Sequence, residues 1–235
     1  MVKATEKRIY LTRHAQAEHN VECDYSIPDA PLTALGRQQS AELYESTKGT
    51  IQMTADLLVS SALRRPLSTM IIGYADLIKK LEAEGKKVIV LPQLQECNDL
   101  PCDTGSPREV LEADPEYADL DFSELTPDWT SKQGFYACTV SALQARARWN
   151  RNWLRSRPER DIVVVAHGDC LRYITEGINS GSAWANAEVR EFTFQVDEEH
   201  DQRGEAWLVP IKRVAKEGAD EPTSSEMTDG RHVPN

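Results

Sequence analysis

The chain has 235 residues, 40% of them hydrophobic, a formal net charge of −11 and five cysteines. This length supports one sizeable domain with a real core, and the acidic balance argues against broad affinity for nucleic acid or anionic membrane. The odd, scattered cysteines (Cys23, Cys97, Cys102, Cys138 and Cys170) argue against a disulfide framework and offer no spacing for a metal site.

In chain order, the polar start Met1 to Arg8 lacks the apolar core of a secretory signal. No apolar run approaches the ~20 residues that span a bilayer, so a soluble, cytoplasmic protein is expected. Ile9-Tyr10-Leu11-Thr12 reads as a buried strand, with Arg13 and His14 directly at its end. A loop is expected over 21–31. Thr33 then caps a helix that stops near Gly49, with Leu32, Leu35, Gln39 and Leu43 on one face. Leu57 to Ser61 is the second strand. The spacing of Met70, Ile71, Tyr74, Ile78 and Leu81 predicts one helix from Pro66 to Glu84, stopped by Gly85. Val88 to Leu91 is the third strand, and Glu96 lies just beyond it.

Over 98–138 prolines break the pattern, leaving only a short helix near 108–113. A connection this long is functional rather than filler. It reads as a lid or insertion in which Trp129, Phe135 and Tyr136 form an apolar wall for substrate. A helix follows over 139–156, with a stripe of Val140, Leu143, Ala147 and Leu154. Asp161 to Ala166 is nearly all apolar, as a central parallel strand requires, and delivers His167. The next helix is expected from about Asp169 to Ile178. Segments 189–196 and 206–211 predict an edge hairpin, because Pro210 cannot donate to a ladder. A single α/β domain is therefore expected over 1–215, with a polar, disordered tail over 216–235.

Strands alternating with helices predict a mostly parallel sheet between two helical layers, a three-layer α/β/α sandwich. All carboxyl ends then lie on one side, where such sheets bind ligands. That edge collects Arg13, His14, Ser61, Arg65, Glu96 and His167. Alone, Arg13-His14 would read as a surface arginine beside a packed histidine. Together these groups fit phosphoryl transfer. Guanidinium forks match phosphoryl oxygens, a neutral imidazole is a nucleophile, and a carboxylic acid can protonate a departing alkoxide. No Gly-rich nucleotide loop is present.

Four segments carry a resemblance. Leu11-Thr12-Arg13-His14-Ala15-Gln16-Ala17-Glu18-His19-Asn20 resembles the opening motif of the histidine phosphatase superfamily, in the branch that holds cofactor-dependent phosphoglycerate mutases and fructose-2,6-bisphosphatases. Leu32 to Gln39, Ser60 to Thr69 and Val164 to Arg172 are similar to the motifs that follow, in the same order. The resemblance implies a phosphoglycerate mutase-like fold. It makes His14 the phosphorylated residue and Glu96 the proton donor, with Asp99 and Asp103 competing for that role. It makes Arg13, Asn20, Arg65 and His167 the phosphate ligands, and leaves Arg64 facing solvent. Ala15, Gln16 and Ala17 depart from the family's Gly, Glu and hydroxyl residue, so the turn after His14 cannot require a glycine conformation. His19, His200 and His232 carry nothing that sets them apart.

The expected activity is metal- and cofactor-independent hydrolysis of a small organic phosphomonoester through phosphohistidine. The partner is then a small phosphorylated metabolite, with neither nucleic acid nor membrane; a homodimer is compatible with the sequence. The alternatives are a mutase on the same site and a catalytically weak sensor of a phosphorylated ligand. The segment after Glu96 is acidic and lacks arginine before Arg108, which disfavours binding a substrate carboxylate and so favours hydrolysis.

Overall fold

The computed structural model describes residues 2–214; the tail expected over 216–235 lies outside the described residues. Six strands form one sheet: β1 (Arg8–Arg13), β2 (Leu57–Ser61), β3 (Ile89–Leu91), β4 (Asp161–Ala166), β5 (Val189–Phe194) and β6 (Leu208–Val214), in the order β3-β2-β4-β1-β5-β6. The first four are mutually parallel, while β5 runs antiparallel to β1 and β6 antiparallel to β5. Around the sheet lie α1 (Glu18–Val21), α2 (Ala34–Thr47), α3 (Ile51–Thr54), α4 (Arg64–Gly73), α5 (Ala75–Ala83), α6 (Arg108–Glu112), α7 (Val140–Ser156) and α8 (Gly168–Glu176).

Period-two alternation divides the core. Tyr10, Leu58, Val90, Val163 and Val165 share one cluster with Leu43 of α2, Leu67 and Met70 of α4, and Leu77 and Leu81 of α5. Ile9, Leu11, Leu57, Val59, Ile162 and Val164 share the other with Leu143, Ala147 and Leu154 of α7, and Leu171 and Ile174 of α8. Both faces of the sheet are covered, which is why β4 is apolar throughout. Arg13 pairs with Ala166, Ser60 with Val165 and Ser61 with Leu91. The parallel strands therefore end level, and the residues they deliver meet at one height. Pro210 lies in the edge strand β6, where the register slips past Ile211 between Glu191 and Phe192.

Several expectations change. The helix expected from Pro66 to Glu84 is two helices, broken at Tyr74 (φ −127°, ψ 32°). The amide of Gln52 enters the break. Its Nε2 donates to Gly73 O (3.0 Å) and Thr47 Oγ1 (2.8 Å), and its Oε1 accepts from the N–H groups of Asp76 and Leu77 (3.1 Å each). One side chain thus caps the end of α4 and the start of α5. On α2, Leu35 is exposed, and Gly36, Gln39, Ser40, Leu43 and Thr47 make the buried face. Val140 is exposed at the start of α7. The helix expected to reach Ile178 ends at Glu176, because Gly177 turns left-handed at φ 75°.

Replacing Gln52 with Met keeps the bulk and strands four hydrogen-bonding partners, two of them backbone N–H groups. The expected cost is about 2–5 kcal/mol in urea unfolding. A change below about 0.5 kcal/mol would show that water or relaxation satisfies the break equally well.

Candidate active site

The motif that follows β1 is held from three sides. His14 N–H donates to Ala166 O of β4 (2.9 Å), and Ala187 N–H donates to His14 O (3.2 Å). Ala15 N–H donates to Thr69 Oγ1 of α4 (3.0 Å). Gln16 N–H donates to Gln39 Oε1 of α2 (2.9 Å), and Thr33 Oγ1 donates to Gln16 Oε1 (2.8 Å). Thr33 also caps α2 by accepting Gly36 N–H (2.9 Å). A Cβ on Gly36 would lie 1.9 Å from Gln16 O, so only glycine allows this approach. The second and third sequence motifs therefore fix the backbone behind the histidine. Ala15 has an ordinary negative φ, as its side chain requires.

His14 is buried (2% exposed). Its Nδ1 lies 2.7 Å from Ala15 O, and its Nε2 lies 3.1 Å from Arg65 Nε. A carbonyl only accepts and a guanidinium only donates. The ring is therefore neutral, protonated on Nδ1, with the Nε2 lone pair turned to Arg65. Arg65 also donates to Cys102 O (2.5 Å) and, in a buried ion pair, to Asp103 Oδ1 (2.8 Å). Arg13 is buried and donates to Trp184 O. The His167 ring stands edge-on to His14 at 5.1 Å between centroids, and its Nε2 lies 2.9 Å from Ser61 Oγ. Arg13, His14, Arg65 and His167 thus meet where the level strand ends place them.

The remaining expected residues divide. Glu96 is buried at the start of α8. Its carboxylate accepts from Cys97 N–H (2.9 Å), Cys170 N–H (3.0 Å) and Asp169 N–H (3.4 Å), two residues from His167. Asp103 is committed to Arg65 and to Asn98 Nδ2 (3.2 Å), and Asp99 is exposed. Asn20, expected as a phosphate ligand, spends its Oδ1 on Ala17 N–H and turns its Nδ2 to His19 Nε2 (3.0 Å each). Arg64, expected to face solvent, is partly exposed and is held by an ion pair with Asp114 (2.5 Å), with Asp29 at 3.8 Å.

The aromatic wall is also redistributed. Trp129 is buried with its ring packed over Gly105, and Tyr136 belongs to the core. Phe135 is exposed and packs edge-on against Trp149 of α7.

Two groups were missed by sequence reasoning. His19 is 2% exposed, with its ring centroid 6.2 Å from that of His14. Lys132 holds a left-handed backbone (φ 53°) and donates from Nζ to Glu96 O (3.3 Å). It lies close enough to help depress the pKa of His167. It returns a cation to a segment that reads as acidic, while Asp103 is neutralised by Arg65. Only the His-Asn dipeptide hints at the first, and no sequence signal marks the second.

The fold and these side chains define a class: an α/β/α sandwich with a buried histidine pair and two buried arginines at the carboxyl edge of its parallel strands. The chain belongs to the histidine phosphatase superfamily (branch 1), whose family model matches residues 9–202. It is 30% identical over 172 residues to a probable phosphatase of Schizosaccharomyces pombe, covering 72% of this chain and 78% of that protein. It is 28% identical over 198 residues to phosphoglycerate mutase-like protein 1 of Arabidopsis thaliana, covering 70% and 69%. The crystal structure of a phosphoserine phosphatase from Entamoeba histolytica, in complex with 3-phosphoglyceric acid, superposes with a TM-score of 0.54 at 19% identity. It covers 89% of this chain and 98% of that one, a likeness of fold. Among the described residues no helix is long and apolar enough to cross a membrane.

Burial, then the guanidiniums of Arg65 and Arg13, holds the His14 pKa well below 6.5. Burial, then Arg65 and His14, does the same to His167, and burial, then Arg65 and Arg13, takes His19 down to about 2. The unfolded chain therefore binds more protons as pH falls below about 6.5, so stability is present above that value and lost on acidification. Urea unfolding from about pH 7 down to about pH 5 is expected to show this fall, with up to about 1.4 kcal/mol per pH unit from each histidine. His14→Asn should reduce the slope by one such increment; an unchanged slope would mean that His14 is charged in the folded protein.

Proposed function

We propose that the protein is a phosphatase that hydrolyses a small organic phosphomonoester without a metal, through a phosphohistidine on His14. The observation that carries this reading is the state of His14: neutral, buried, and with Nε2 rather than Nδ1 presented to Arg65. In the resting site Arg65 Nε–H occupies that lone pair. A phosphoryl oxygen is the better acceptor. As it takes the Arg65 hydrogen bond, Nε2 is released to attack phosphorus.

Nε2 then forms the N–P bond as the bond from phosphorus to the alkoxide oxygen breaks. Arg13 and Arg65 neutralise the phosphoryl oxygens, and His167 donates a hydrogen bond to one of them. Of the three acids considered, Glu96 is the proton donor: it is buried against the N–H groups of Asp169 and Cys170, just after His167, whereas Asp103 is held by Arg65 and Asp99 is exposed. In the second half, Glu96 takes a proton from water as the water oxygen displaces Nε2, giving inorganic phosphate and neutral His14.

A relative named as a probable phosphatase supports hydrolysis. One named as phosphoglycerate mutase-like keeps transfer between hydroxyls as the second reading. Arg146, the buried arginine beside Glu96, favours the first. It is turned to the backbone oxygens of Gln95 (3.1 Å) and Glu96 (3.2 Å) rather than offered to a substrate carboxylate.

Incubation with a labelled phosphomonoester and an alkaline quench is expected to leave label on His14, with release of inorganic phosphate. His14→Asn should lose the label and about 10⁴-fold or more in turnover. Label with isomerised ester and no inorganic phosphate would assign the mutase reaction. Tight binding without label would assign a sensor.

A further inference from the structure

His19 lies on α1, one residue before Asn20 and five after His14. Its chemical state follows from a chain of obligatory donors. Ala17 N–H can only donate, so the Asn20 side-chain atom that meets it is the oxygen. The other end of that amide is therefore the NH₂ group, which can only donate, so His19 Nε2 is the acceptor. In a neutral imidazole the remaining nitrogen then carries the proton. That group, Nδ1–H, is buried and has no acceptor among the described residues. Burial beside Arg65 and Arg13 keeps the ring neutral, so the tautomer is fixed across the working pH range.

A buried donor without an acceptor is rare and unfavourable, and where a native structure retains one a functional role, a water or an ion accounts for it. His167 shows the same pattern in the same cluster: Nε2 engaged by Ser61, Nδ1 buried without a partner among the described residues. Two orphaned imidazole Nδ1 atoms thus flank the His14 ring, at 6.2 and 5.1 Å between centroids. Both histidines lie within the field of the Arg65 guanidinium.

We propose that His19 is a further substrate-binding residue, whose Nδ1–H donates to an oxygen of the phosphoryl group seated between Arg13 and Arg65. Asn20 is then the positioning residue: it orients His19 and sets its tautomer in place of binding phosphate through both ends of its own amide. The inference rests on the phosphatase reading above. It adds a neutral donor where a third cation would hold the product phosphate too tightly.

The geometry of imidazole supplies the test. An Asn side chain can place its NH₂ near the position of Nδ1, whereas Gln reaches the position of Nε2. The full chain and its His19→Asn, His19→Gln and His19→Phe variants are assayed with p-nitrophenyl phosphate, and with orthovanadate as a competitive inhibitor. Loss of one charge-assisted hydrogen bond corresponds to a roughly ten- to hundredfold rise in the vanadate inhibition constant for Gln and Phe. Asn should recover most of that loss, to within about fivefold of the parent.

Vanadate binding equal in all four proteins overturns the proposal, as does an equal loss in all three variants. Where a variant does not fold, the parent still decides. With ¹⁵N-labelled histidine, the His19 Nδ1 resonance is expected to shift on vanadate binding, and a stationary resonance overturns the proposal. A parent that neither turns over p-nitrophenyl phosphate nor binds vanadate sinks the phosphatase reading itself. A parent whose activity depends on His14 but not on His19 sinks only this inference.

Discussion

The hydrogen bond from Arg65 Nε–H to His14 Nε2 is the interaction on which the rest of the site depends. It requires an uncharged imidazole, because a protonated Nε2 would place two cationic donors face to face. Burial supplies that condition, and the arginines that would meet an anion enforce it further. The same guanidinium reaches Cys102 and Asp103 of the segment after Glu96. One side chain therefore ties the His14 ring to that segment. The sheet serves this contact by ending β1, β2 and β4 at a common height, so residues 51 positions apart (His14 and Arg65) and 106 apart (Ser61 and His167) converge without a long reach.

The four motifs divide the work more unevenly than their order in the chain suggests. On the proposed reading, the first supplies the nucleophile and the last a phosphate ligand. The second, through Thr33, Gly36 and Gln39, holds the Gln16 backbone and touches nothing reactive. The third does both, with Arg65 facing His14 and Thr69 fixing Ala15. Gly36 and Gln39 thus act through the position of a neighbouring peptide, and a change in either would move His14 without altering its chemistry.

Much of the sandwich was legible because its signals are local. Apolar runs mark β1, β2 and β4, and Thr33 and Gly85 mark helix ends. Arg13, His14, Arg65 and His167 were legible because parallel topology alone brings strand ends together. What stayed hidden depends on distant chain. The Pro66–Glu84 periodicity continues through Tyr74, and only the amide of Gln52, two elements away, shows why the helix breaks there. His19 differs from His200 only in what folds around it: one is buried against His14, the other is exposed near a turn. Lys132 reaches Glu96 from a stretch with no regular period, so spacing could not place it. The aromatic wall failed for the same reason. Trp129 is drawn to the cleft above Gly105, a fit of shapes rather than of pattern.

The buried pair between Asp103 and Arg65 sets a threshold for occupancy. On the reading proposed above, the chain carries its own counter-ion on a guanidinium that also meets the phosphoryl group. Any visiting anion is therefore weighed against a tethered rival held at a high effective concentration. Because Asp103 holds Nη2 and leaves Nε to His14, the guanidinium keeps its charge balanced at one edge while its other edge faces the imidazole.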